Sequence, residues 1–162
     1  MAELAQYLTL GLAEETFGIS IRNVREILDI RPISRLPHAP DFLVGMIDVR
    51  GSGYPIVDLR TKLDLPRVPA TEATRIIILD VPMEDRLVGV GFIADCVFEV
   101  TDIDESRIEP PPSVGGRWKS DYLAGIGRKG DKFVMIFDLR RLMQSTDLIQ
   151  TTEAAPVEPV AA

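Results

Sequence analysis

The sequence predicts an all-β fold, mainly strands with short helices, built as two five-stranded barrels packed side by side. Two observations carry that expectation. The chain is a succession of short apolar, β-branched stretches separated by turn signals. Three ordered blocks of its first half also return in its second. Gly18-Ile19-Ser20-Ile21, followed by Val24, Glu26 and Ile27, is answered at an offset of 73 by Gly91-Phe92-Ile93-Ala94, Val97, Glu99 and Val100. Phe42-Leu43-Val44-Gly45-Met46 is answered at an offset of 80 by Tyr122-Leu123-Ala124-Gly125-Ile126, and Ile56-Val57-Asp58-Leu59-Arg60 by Ile136-Phe137-Asp138-Leu139-Arg140, again at 80. A duplicated unit of about five strands must curl to cover one face and remove its edges, which gives one small barrel per copy.

Taken in order, Tyr7 to Leu12 alternates as a strand, the stretch 13–16 turns it, and Phe17 to Ile21 runs back. Val24 to Ile30 is either extended or a brief helix, since periodicity over so few residues leaves both open. Three prolines between residues 32 and 40 argue against regular structure until Phe42. Then comes the central hairpin: Met46 to Val49, a turn at Arg50-Gly51-Ser52-Gly53, Tyr54 to Val57, and a short helix opening at Asp58. Residues 64–73 read as a linker. Arg75 to Val81 is the strongest strand signal, returned by Leu87 to Ile93 and followed by an extended piece over 95–101. Residues 102–121 are rich in loop signals. Tyr122 to Gly127, a turn at Lys129-Gly130-Asp131, a strand over Lys132 to Phe137 and a helix from Asp138 to about Gln144 repeat the earlier pattern. We expect a single domain over 1–162. Residues 6–66 with the C-terminal strand region would form one barrel, 74–144 most of the other, and 145–162 a mobile tail.

Composition excludes several classes of function. Eighteen Lys and Arg against twenty-five Asp and Glu leave a net charge of −7, a field that repels nucleic-acid phosphates and anionic membranes. No apolar run reaches the roughly 18 residues of a membrane span, and the acidic start lacks a signal-peptide pattern. The one cysteine, Cys96, forbids an internal disulfide and fits a reducing, cytoplasmic setting.

No constellation of catalytic residues stands out. Asp58 and Asp138 would make a carboxylate dyad only if the duplication brought them together; each also stands where a helix N-cap belongs, which explains both. Arg50-Gly51-Ser52-Gly53 lacks the Lys-Ser/Thr of a phosphate loop. With one histidine, His38, and one cysteine at an Asn23-like position, neither a zinc site nor a Cys–His nucleophile is expected. The Arg117-Trp118-Lys119 cluster reads as a loop anchor or contact point in so acidic a chain. No cofactor or metal is implied. Ile27 and Val100 are expected in the core, and Glu26 either as solvated surface or as part of a contact face.

The run from Phe42 to Leu65, with its Asp48-Val49-Arg50-Gly51, Pro55 and Ile56-Val57-Asp58-Leu59-Arg60, resembles the signature of the CheW family of chemotaxis coupling proteins. So do Phe17-Gly18-Ile19 with Val24 to Ile27, and Tyr122-Leu123 with Gly125-Ile126-Gly127. The resemblance covers residues 6–144. It implies two SH3-like barrels and a non-enzymatic adaptor. Such an adaptor joins the cytoplasmic tips of chemoreceptors to the regulatory domain of the histidine kinase CheA, inside the cytoplasm and beneath membrane receptor arrays. It further implies a receptor-binding set of Val24, Glu26, Gly45, Arg50 and Val97, with kinase contacts at barrel ends. Two departures stand out: Asp48 replaces the family's usual Asn, and Ser52-Gly53-Tyr54 replaces a β-branched run before Pro55. Two alternatives are a small aspartate-dependent enzyme and the same fold reused in a signalling pathway other than chemotaxis.

Overall fold

The computed structural model describes residues 3–111 and 122–143. The expected mobile tail and the Trp118 cluster lie outside those residues. Among the described residues the strands are β1 (Leu4–Leu12), β2 (Glu15–Ser20), β3 (Val24–Asp29), β4 (Ser34–Arg35), β5 (Leu43–Val49), β6 (Ser52–Asp58), β7 (Arg75–Met83), β8 (Arg86–Ala94), β9 (Cys96–Asp104), β10 (Leu123–Lys129) and β11 (Lys132–Phe137). Two one-turn helices, α1 (Leu59–Lys62) and α2 (Leu139–Met143), follow β6 and β11. Residues 24–29, undecided from sequence, are a strand, preceded by a 3-10 turn over Ile21–Asn23. The proline-rich stretch is not wholly irregular: Ser34 and Arg35 pair with Met46 and Gly45. The extended piece expected over 95–101 is β9, which runs on to Asp104.

The strands make two curled sheets, ordered β10-β11-β2-β1-β9 and β3-β7-β8-β6-β5-β4. Neither sheet coincides with one half of the chain. The five-stranded sheet joins the N-terminal strands to the C-terminal ones. Strands β5 and β6, however, lie with β7 and β8 in the other sheet, so the boundary anticipated at residues 66–74 does not divide the barrels. Each repeat lends its first hairpin to the other repeat's sheet: β1-β2 joins β9-β11, and β7-β8 joins β3-β6. The parallel joints that result are equivalent under the duplication. Ile56 pairs with Gly91, and their counterparts Ile136 and Gly18 pair with each other.

Three apolar clusters follow from this exchange. One fills the six-stranded barrel around Ile47, Tyr54, Ile56, Ile76 and Ile78. A smaller one fills the five-stranded barrel around Tyr7, Ile103, Val134 and Ile136. The largest lies between the sheets and takes Leu8, Leu10, Ile19, Val57, Ile77, Leu79 and Phe92 with α1 and α2. Successive residues of β7 thus serve two cores: Ile76 and Ile78 face the barrel interior, Ile77 and Leu79 the inter-barrel layer. That is why this strand reads as a continuous apolar run, every one of the four having no exposed surface.

Both helices begin as anticipated. The Asp58 carboxylate accepts from Arg60 N at 3.0 Å, and that of Asp138 from Arg141 N at 3.1 Å. Each cap's own N–H is bonded to the start of its preceding hairpin: Asp58 N to Phe42 O at 2.8 Å, and Asp138 N to Tyr122 O at 2.7 Å. Both carboxylates are therefore occupied by their own helix starts, in different sheets, and the dyad reading has no geometry behind it.

Candidate partner-binding face

The β5–β6 hairpin is tighter than expected. Val49 pairs with Ser52, so the loop is only Arg50-Gly51, and both residues have positive φ, 52° and 88°. Gly53, expected in the turn, belongs to β6. Two left-handed residues in a two-residue loop match the right-handed twist of the flanking strands. Arg50 adopts this conformation despite its Cβ, with Gly51 N held by the Asp48 carboxylate at 2.8 Å. Asp48 thus supplies the acceptor that fixes the turn.

From that turn the Arg50 guanidinium forms an ion pair with Glu26 on β3. Three strands, β7, β8 and β6, separate β3 from β5 along the sheet, so the pair bridges the seam across which the sheet curls. Arg50 remains 77% exposed along its side chain and Glu26 26%, leaving the cation presented to solvent. The five-stranded barrel carries the equivalent device: Lys129, at the β10–β11 turn, pairs with Glu99 on β9. Glu99 is the counterpart of Glu26 in the duplication, and β10 and β9 are the first and last strands of their sheet.

The expected core positions Ile27 and Val100 are not buried; they are 41% and 46% exposed. Register explains this. The pairings slip between Val24 and Glu26 on β3, and between Glu99 and Val97 on β9, leaving Arg25 and Phe98 as bulge residues. Ile27 then stands opposite Ile77, and Val100 opposite Leu8, both buried in the inter-barrel layer. Cross-strand partners share a face. Ile27 and Val100 therefore point to the side of that layer but lie outside it, exposed because β3 and β9 are edge strands with no further strand beside them among the described residues. Sequence reasoning missed this, since a β-branched residue reads the same on a central and an edge strand.

The five expected site residues do not form one cluster. Glu26 and Arg50 touch. Val24 is two residues from Glu26 on β3, half-buried against the inter-barrel layer opposite Leu79. Gly45 is buried on β5, where an added Cβ would stand 2.0 Å from Ser34 O; its lack of a side chain allows β4 to pair. Val97 lies in the other sheet opposite Leu10, packed against the same inter-barrel layer as Val24. Gly125, the counterpart of Gly45, shows the same close approach, 2.8 Å from Glu109 O, where Glu109 and Ile126 form an isolated bridge.

Among the described residues no helix is long and apolar enough to cross a membrane. The family model of the CheW-like domain matches residues 6–147. A chemotaxis protein CheW from Klebsiella aerogenes is 31% identical over 143 residues, covering 88% of this chain and 84% of that protein. Another, from Treponema pallidum, is 27% identical over 150 residues, with 90% and 86% covered. The crystal structure of the scaffolding protein TtCheW from Thermoanaerobacter tengcongensis superposes with a TM-score of 0.77 at 31% identity, covering 91% of this chain and 96% of that one. Strand exchange, paired SH3-like barrels and a match across nearly the whole chain lead to one conclusion: this protein belongs to the CheW family of chemotaxis scaffold proteins.

Proposed function

We propose that this chain is a non-enzymatic cytoplasmic adaptor that couples chemoreceptor tips to the regulatory domain of the histidine kinase CheA. The observation that supports it best is the Arg50–Glu26 pair, set on a rigid two-residue turn beside the exposed Ile27. A cation at the exposed edge of β3, whose opposite face carries Val24 and Ile27 beside the inter-barrel layer, suits an amphipathic helical tip lying along that edge. The helix would lay its apolar face along Val24 and Ile27 and set its acids against Arg50. Gly45 acts on this face indirectly, through the β4–β5 pairing, and Val97 would serve the equivalent margin of the other barrel.

The test is a co-sedimentation assay with receptor-containing membranes and the kinase, using Arg50→Glu. We expect the variant to fold normally and to lose receptor coupling while keeping kinase binding. Coupling retained at the wild-type level would remove Arg50 from the receptor face. Loss of kinase binding with receptor binding intact would move the face to the other partner.

A further inference from the structure

The two barrels are equivalent by duplication but differ at one end. In the six-stranded barrel that end is closed by Tyr54, whose ring lies against Gly89: a Cβ added to Gly89 would stand 2.6 Å from Tyr54 Cε1. Tyr54 is buried with Val49 and Ile78 around it, and the Arg25 guanidinium sits 5.8 Å from the ring centroid. Each of these positions has a counterpart in the five-stranded barrel. Tyr54 becomes Val134 and Val49 becomes Lys129 at an offset of 80; Gly89 becomes Thr16 and Arg25 becomes Phe98 at 73. Ile78 becomes Thr9, the two standing opposite the matching glycines Gly91 and Gly18. The large ring is replaced by a valine, and the apolar wall beside it by a threonine and a lysine.

The result is a half-open cavity of about 400 Å3 whose lining includes all five of these replacements. It occupies the place that the tyrosine ring fills in the sister barrel. An engineered apolar cavity of roughly 150 Å3 already admits benzene, so a ring fits with room to spare. The walls favour an aromatic occupant over an aliphatic one. Phe98, 57% exposed, lays its ring over Gly11, where an added Cβ would come within 3.1 Å of it, and so offers an ordered aromatic surface. Lys129, its ammonium held by Glu99, is among the lining residues and supplies a cation for a ring face. Thr9 contributes no free polar group, because its hydroxyl donates to Glu99 O at 3.0 Å and accepts from Glu99 N at 3.3 Å.

We propose that this open barrel end is a binding pocket for an aromatic side chain presented by a partner chain, completing from outside the plug that Tyr54 supplies from within the other barrel. The pocket is separate from the Arg50–Glu26 face and stands whether or not that face binds receptors.

The experiment is an amide-shift titration of the isotopically labelled full chain with N-acetyl-tyrosinamide and, in parallel, N-acetyl-leucinamide. Saturable shifts are expected at Thr16, Phe98 and Val134 and not at Gly89 or Tyr54, with the tyrosine probe bound about fivefold to tenfold more tightly than the leucine probe. The double variant Thr16→Gly with Val134→Tyr transplants the Tyr54–Gly89 arrangement and should fold and lose binding. Should it not fold, Phe98→Ala, at an exposed position, decides: affinity for the tyrosine probe should fall about fivefold. Absence of saturable shifts, equal binding of the two probes, binding that persists in the folded double variant, or an unchanged affinity in Phe98→Ala would each overturn the proposal.

Discussion

Arg60 holds Asp95 by two parallel hydrogen bonds, from Nε to Oδ1 at 2.9 Å and from Nη2 to Oδ2 at 2.7 Å. The pair ties α1 of the first repeat to the β8–β9 corner of the second. The same Asp95 carboxylate accepts from Ala13 N at 3.0 Å, in a turn where Ala13 and Glu14 both have positive φ without being glycine. One acid thus fixes a strained turn of one repeat and a helix of the same repeat onto its partner repeat. The duplication does not reproduce the arrangement, because the residue equivalent to Asp95 is Arg22.

Removing the guanidinium leaves Asp95 partly shielded with one partner lost. Arg60→Ala should lower stability by about 1–2 kcal/mol, the upper end of the range being reduced by partial exposure. Urea denaturation measures it. The hydrogen bond from Arg60, then that from Ala13 N, hold the Asp95 carboxyl below its ordinary range. The unfolded chain therefore takes up a proton there first, so this contribution is complete above the unfolded value near 3.9 and is lost as pH falls below it. Asp95→Asn should show a shallower decline of stability on acidification than the wild type. An equally steep decline would mean that other carboxylates dominate.

Arg50 carries a left-handed conformation that asparagine adopts more readily. Arg50→Asn should therefore leave stability unchanged or raise it slightly, since a mostly exposed ion pair adds little. On the proposed reading, the same variant should lose receptor coupling. A thermal melt beside a coupling assay separates the two effects, and a clear fall in melting temperature would contradict the turn assignment.

Tyr7 donates from its hydroxyl to Glu105 Oε2 at 2.7 Å, and burial, then this bond, raise its pKa to about 12. Between an unfolded value near 10 and the folded one, the unfolded chain releases the proton first, so stability falls as pH rises through that window. Phenolate absorbance should find one tyrosine titrating near 12, and Tyr7→Phe should remove the alkaline decline attributable to this group.

The exchanged hairpins predict that neither half of the chain folds alone. Severed in the 66–73 linker, each fragment would lack the hairpin that its own sheet requires. Separately the fragments should show no cooperative transition, and mixed they should regain the strand signal by circular dichroism. Independent folding of either fragment would sink the idea. By the same reasoning, Phe92→Ala, in the inter-barrel layer, should cost about 3–5 kcal/mol and unfold the whole molecule in one step.

Order of residues along the chain is enough to show that it is mainly β and duplicated, that Asp58 and Asp138 cap helices, and that the residues between Phe42 and Leu65 carry the family signature. Those features are local: a cap bonds one or two residues onward, a hairpin closes on its own turn, and a repeat is visible as letters at a fixed offset. Which hairpin joins which barrel emerges from the folded arrangement, because a strand's alternation records that one face is buried and not by whom. That arrangement also decided that Ile27 and Val100 emerge at edges, since one bulge residue reassigns every side chain beyond it. The open barrel end was legible only when Tyr54 and Val134 could be compared in equivalent surroundings: a missing ring leaves no trace in composition, and a cavity exists only between strands brought together from distant parts of the chain.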